Sequence, residues 1–75
     1  MKFQIYSKDN CQFCSKAVAL LTIKGLSFEE LKLGREFTRD QLLKQFPEAK
    51  TFPQIKLASG EYIGGYNDLV SFLEE

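Results

Sequence analysis

Cys11 and Cys14 are the only two cysteines of the chain, and they sit in one short run, Cys11-Gln12-Phe13-Cys14. Two thiols at this spacing suit reversible redox chemistry. A thiolate attacks a disulfide sulfur, and a neighbouring thiol then releases the bound partner by closing an internal disulfide. Residues three apart on a helix have Cβ atoms roughly 5–6 Å apart. A disulfide needs roughly 3.5–4.5 Å, so a small adjustment in the first turn closes it. At a helix start, unpaired N–H groups and the helix dipole stabilise a thiolate, and Lys8 adds positive charge nearby. Cys11 is therefore the expected nucleophile and Cys14, one turn inside, the resolving thiol. Other uses of the pair fit less well. A structural zinc site needs about four ligands, and the chain has two Cys and no His. A purely structural disulfide here would close too short a loop to constrain the unfolded chain much. Two inert buried thiols would not need a helix start.

The elements that must hold this pair can be read from the pattern. Phe3 and Ile5 alternate with Lys2, Gln4 and Tyr6, which predicts a first strand. Ser7-Lys8-Asp9-Asn10 is a polar connection into a helix over 12–24, with Cys14, Val18 and Leu21 on one face, Ala17 beside them and Gly25 as the left-handed stop. Phe28 to Leu33 predicts a second strand broken by Gly34. Thr38-Arg39-Asp40-Gln41 has capping-box form before a helix with Leu42, Leu43 and Phe46 as its apolar face, and Pro47 ends it. Pro53 opens a third strand through Ile55 and Leu57. Ser59-Gly60 predicts a hairpin into a fourth strand at Tyr62-Ile63. Asn67 is the expected cap of a last helix carrying Leu69, Val70, Phe72 and Leu73. Phe28, Leu42, Ile55 and Phe72 are assigned to the core. The order is β-α-β-α-β-β-α, an α/β fold with a four-stranded mixed sheet flanked by three helices, in a single domain over residues 1–75.

Composition narrows the function. Ten basic and ten acidic residues cancel, so there is no electrostatic footprint for nucleic acid and no basic stripe for a membrane. The longest apolar run, Ala17 to Leu21, is far below spanning length. Met1 to Tyr6 is too polar for a signal peptide, so a cytoplasmic location is expected, where thiols stay reduced.

Three motifs in order and spacing, Cys11-Gln12-Phe13-Cys14, Thr51-Phe52-Pro53-Gln54 and Gly64-Gly65-Tyr66-Asn67-Asp68, give the chain its resemblance to the glutaredoxins over nearly its whole length. The resemblance implies a thioredoxin-like fold and reduction of protein disulfides and glutathione mixed disulfides, with glutathione as co-substrate and no metal. It implies a cis Phe52–Pro53 bond, so that Phe52 pairs its backbone with the cysteinyl unit of glutathione. Thr51, Phe13 and Tyr66 would line the same site, and the γ-glutamyl end would rest on Gly65, Asn67 and Asp68. Lys8 matches a family lysine for the glycine carboxylate, and Arg39 is a looser candidate for that end. Expected partners are glutathione and glutathionylated or disulfide-containing proteins, with ribonucleotide reductase as one by family analogy; a monomer is expected. Two other functions fit the family: an electron donor reduced by thioredoxin reductase, and a carrier in which two chains share a [2Fe–2S] cluster through Cys11 and two glutathiones. Gln12 and Phe13 depart from the usual Pro-Tyr between the cysteines, which frees a backbone N–H beside the thiolate and removes a hydroxyl. Phe52 is bulkier than the common valine.

Overall fold

A computed structural model describes residues 2–74. Among them the chain forms β1 (Lys2–Ser7), α1 (Gln12–Ile23), β2 (Ser27–Lys32), α2 (Arg39–Gln45), β3 (Gln54–Leu57), β4 (Tyr62–Gly64) and α3 (Tyr66–Glu74). The sheet order is β2-β1-β3-β4. β1 and β2 run parallel, joined through α1, whereas β3 is antiparallel to both β1 and β4. The sequence order of elements is therefore the observed one, and the mixed sheet follows from it.

Local signals work where they are self-contained. The Thr38 side chain accepts from the Gln41 N–H, and the Gln41 side chain accepts from the Thr38 N–H, so the capping box is complete. Gly25 follows α1 with φ of 69°, a left-handed conformation that favours glycine. Boundaries move by a residue or two. β2 stops at Lys32, and Leu33 makes only an isolated bridge to Phe37. α2 stops at Gln45 with Phe46 as its cap, ahead of Pro47.

Two corrections follow, one from tertiary packing and one from a local turn. Tyr6, read with the polar side of the first strand, is only 5% exposed. β1 is an inner strand with apolar side chains on both faces, which abolishes simple alternation. On one face Phe3, Ile5, Ile55 and Leu57 pack with Ala17 and Leu21 of α1 and Leu69 of α3. On the other, Tyr6 packs with Phe37, Leu42 and Phe46, edge-on to both phenylalanine rings at 5.1 and 5.3 Å. Leu42 and Ile55 are buried as expected. Phe28 and Phe72 are half-buried against the first cluster, and Leu43 is 36% exposed. The second correction concerns the last helix. α3 begins at Tyr66, so Asn67 lies inside it, and the capping contact is made by Asp68, whose carboxylate accepts from the Gly65 N–H at 3.0 Å. That is the reach-back half of a capping box. Among the described residues no helix is long and apolar enough to cross a membrane.

Candidate active site

The strand-to-helix junction delivers the cysteines. Asn10 takes a left-handed φ of 57°, which asparagine tolerates better than most residues. The chain then returns to extended backbone at Cys11, the N-cap of α1, and the Cys11 Sγ accepts a hydrogen bond from the Cys14 N–H at 3.2 Å. Cys11 is partly exposed, whereas Cys14 is 2% exposed. The two are joined as a disulfide, with Cα atoms 5.2 Å apart. This asymmetry suits a nucleophile and a resolving thiol: one sulfur open to the outside, the other almost fully covered.

Cys11 and Cys14 line an open recess with Lys8, Gln12, Glu30 and Lys32. Lys8 also borders a second recess, with Arg39, Lys50, Thr51 and Phe52. Lys50, Thr51 and Phe52 in turn border a third, completed by Phe13, Glu48, Gln54, Tyr62, Gly65, Tyr66, Asn67 and Asp68. The first and second recesses meet at Lys8, and the second and third share Lys50, Thr51 and Phe52, so the three adjoin along one groove. Lys8, Arg39 and Lys50 border the second recess, Glu48 and Asp68 border the third together with Lys50, and the recess at the cysteines mixes Lys8 and Lys32 with Asp9 and Glu30. The Lys8 ammonium stands over the Phe52 ring, 5.6 Å from its centroid, so Lys8 and the central wall are in contact. Phe13 is half exposed. Its ring lies 5.9 Å from that of Tyr66 and 5.1 Å from the Lys16 ammonium. The Phe52–Pro53 bond is cis. Pro53 is buried and contributes no side chain to the three recesses.

All the sequence-derived side chains other than Pro53 thus converge on the groove. The recess beside α3 also carries Glu48, Lys50, Gln54 and Tyr62, to which the sequence assigned no role in the site. Gln54 carried a signal, being a polar residue at an inner strand position next to the Thr51-Phe52-Pro53 motif. Its side chain donates to the Thr51 carbonyl at 2.8 Å and accepts from the Tyr62 hydroxyl at 2.6 Å. Burial first, and then the negative charges of Asp68 and Glu48, push the Tyr62 ionisation up, so the phenol keeps the proton it donates. Among the described residues no three His, Cys, Asp or Glu side chains form a group able to hold a metal ion.

Gly64 fixes the Asp68 end. Its φ is 124°, and a Cβ built there would stand 2.7 Å from the Asp68 Cγ. Gly64→Ala is therefore expected to cost about 1–3 kcal/mol through backbone strain and displacement of the Asp68 carboxylate. At Gly65 a Cβ would meet only the Pro53 carbonyl at 3.6 Å, so Gly65→Ala should cost under about 1 kcal/mol. Urea unfolding of the two variants separates these outcomes; equal midpoints would remove the steric assignment.

Comparison with known proteins gives a consistent picture. The Glutaredoxin family model matches residues 3–63. Glutaredoxin 3 of Escherichia coli is 40% identical over 67 residues, which cover 88% of this chain and 78% of that protein. The solution structure of glutaredoxin from Brucella melitensis superposes with a TM-score of 0.77 at 30% identity, covering 99% of this chain and 79% of that one. The crystal structure of a buckwheat glutaredoxin–glutathione complex shares the fold, with a TM-score of 0.80 at 24% identity over 96% of this chain and 67% of that one.

Proposed function

Because the chain belongs to the glutaredoxin family, and is thereby a thiol–disulfide oxidoreductase, we propose that glutathione is its electron donor and that Cys11 is the attacking sulfur. The observation that carries this reading is the row of adjoining recesses that starts at Cys11 and Lys8, passes Arg39 and reaches Asp68. The glycine carboxylate of glutathione suits Lys8 and Arg39, and the ammonium of its γ-glutamyl unit suits Asp68. The free N–H groups at the start of α3, around Asn67 and Asp68, suit the γ-glutamyl carboxylate. Between them Phe52 would offer its backbone to the cysteinyl unit as an added strand, with Thr51, Phe13, Gly65 and Tyr66 shaping the walls and Pro53 buried behind them.

The chemistry then runs in two forms. With a glutathionylated protein, the Cys11 thiolate attacks the glutathionyl sulfur. The substrate leaves as a thiolate and takes up a proton. A second glutathione thiolate attacks the same glutathionyl sulfur, releasing glutathione disulfide and restoring Cys11. With a protein disulfide, Cys11 forms a mixed disulfide with one substrate sulfur. Cys14 then attacks Cys11, frees the substrate as a dithiol, and leaves Cys11–Cys14 oxidised for two glutathiones to reduce. The N–H of Cys14, 3.2 Å from the Cys11 sulfur, would stabilise the thiolate in both forms, together with the helix start and Lys8. The substrates we propose are glutathionylated and disulfide-containing proteins, ribonucleotide reductase among them by family analogy. The protein would act as a single-domain monomer in the cytoplasm.

A coupled assay following NADPH oxidation tests the donor. Turnover is expected with glutathione plus glutathione reductase, and not with thioredoxin reductase alone. Turnover with thioredoxin reductase only would overturn the glutathione reading.

A further inference from the structure

We propose that Gln54 and Tyr62 are positioning residues that fix the Thr51–Phe52 wall of the groove; this rests on the glutathione reading above. The segment needs such a device. Pro53 has no N–H to donate, and the ladder of β3 with β1 begins only at Gln54, opposite Tyr6. Thr51 to Pro53 therefore lies outside the regular backbone pairing that holds the rest of the sheet. The Gln54 side chain closes this gap by reaching back three residues to the Thr51 carbonyl at 2.8 Å. Gln54 is only 4% exposed, and a buried amide is costly unless both its ends are bonded.

Chemistry fixes the direction of the relay. The Thr51 carbonyl only accepts, so the amide nitrogen must face it, and the amide oxygen must face Tyr62. Tyr62 must then donate, which it does at 2.6 Å. Burial and the nearby Asp68 and Glu48 charges keep that phenol protonated. Tyr62 also lines the groove beside Asp68, and it lies on β4, immediately before the Gly64–Asp68 turn. The relay thus ties the central wall to the Asp68 end. Its loss should loosen the backbone that meets the ligand while leaving the cysteines untouched.

The test uses the 75-residue chain with Tyr62→Phe, Gln54→Met and the double variant. Tyr62 is 55% exposed, so Tyr62→Phe removes one hydroxyl without threatening the fold. For a glutathionylated peptide, each single variant should raise KM about three- to tenfold, the net worth of one hydrogen bond, with kcat within about twofold of wild type. The double variant should be no worse than the larger single, because the two residues act as one unit. Reaction of the reduced proteins with 5,5′-dithiobis(2-nitrobenzoate), which does not need the groove, should be unchanged. A wild-type KM in Tyr62→Phe, or additive effects in the double variant, would overturn the relay. The same peptide carrying a cysteamine mixed disulfide separates the two levels. Absence of any wild-type preference for the glutathionylated form would overturn the glutathione reading and the relay with it. Preference retained equally in Tyr62→Phe would overturn the relay alone.

Discussion

Cys11→Ser should abolish reduction of every disulfide substrate, whereas Cys14→Ser should retain removal of glutathione from proteins. The first loss is expected to be about a thousandfold or more, because a serine hydroxyl is not appreciably ionised near neutral pH and cannot serve as the sulfur nucleophile. The second follows from geometry. Cys14 is 2% exposed and so is far less open to solution substrates than Cys11. Deglutathionylation requires no attack by Cys14, since a second glutathione completes it. Reduction of protein disulfides does require that attack, and Cys14→Ser should lose most of it. Parallel assays on a glutathionylated peptide and on a protein disulfide read both effects. Equal loss of both activities in the two variants would contradict the division of roles, and full activity in Cys11→Ser would contradict the assignment of the nucleophile.

Ile55→Ala should bring the domain close to unfolding. Ile55 is fully buried, pairs with Ile5 across the sheet and packs in the cluster shared by α1 and α3. Truncating a buried isoleucine to alanine costs about 2–5 kcal/mol through lost burial and the cavity left behind. A chain of 75 residues has a total stability of about 4–11 kcal/mol at the usual per-residue values. The variant therefore forfeits from about a fifth of its stability to all of it, and its thermal midpoint should fall by roughly 10 °C or more. Calorimetry or urea unfolding checks this. A loss below about 1 kcal/mol would show that the sheet centre does not carry the fold. The position also matters for function: Ile55 lies two residues after the cis Phe52–Pro53 bond, so core and groove share one strand.

What the sequence conveyed, and what it hid, divides by range. The capping box at Thr38–Gln41, the left-handed Gly25 and the helix start at Cys11 are each decided within four residues, and all three were readable. Tyr6 was not, because the residues that bury it, Phe37 and Phe46, arrive more than thirty positions later. The cap of α3 was misplaced by the choice between Asn67 and Asp68. Both are capping residue types, and the choice depends on how Gly64 and Gly65 turn the chain so that Asp68 reaches back to the Gly65 N–H. The groove motifs at Lys8, Thr51 to Pro53 and Gly65 to Asp68 were legible as a resemblance, and the structure places all of these residues but Pro53 in the lining of adjoining recesses. Gln54 was hidden because its partner Tyr62 sits across a bulged hairpin. Arg39, a loose assignment in sequence, shares its recess with Lys8 because α2 packs next to the Thr51–Phe52 segment.

The central claim is that the Cys11 sulfur itself takes the glutathionyl group. Mass spectrometry of reduced Cys14→Ser protein after incubation with glutathione disulfide tests it directly. The expected result is a single added glutathionyl group, mapped to Cys11 and removed by excess reduced glutathione. No adduct on Cys11 under conditions where the folded protein retains an accessible thiol would contradict it.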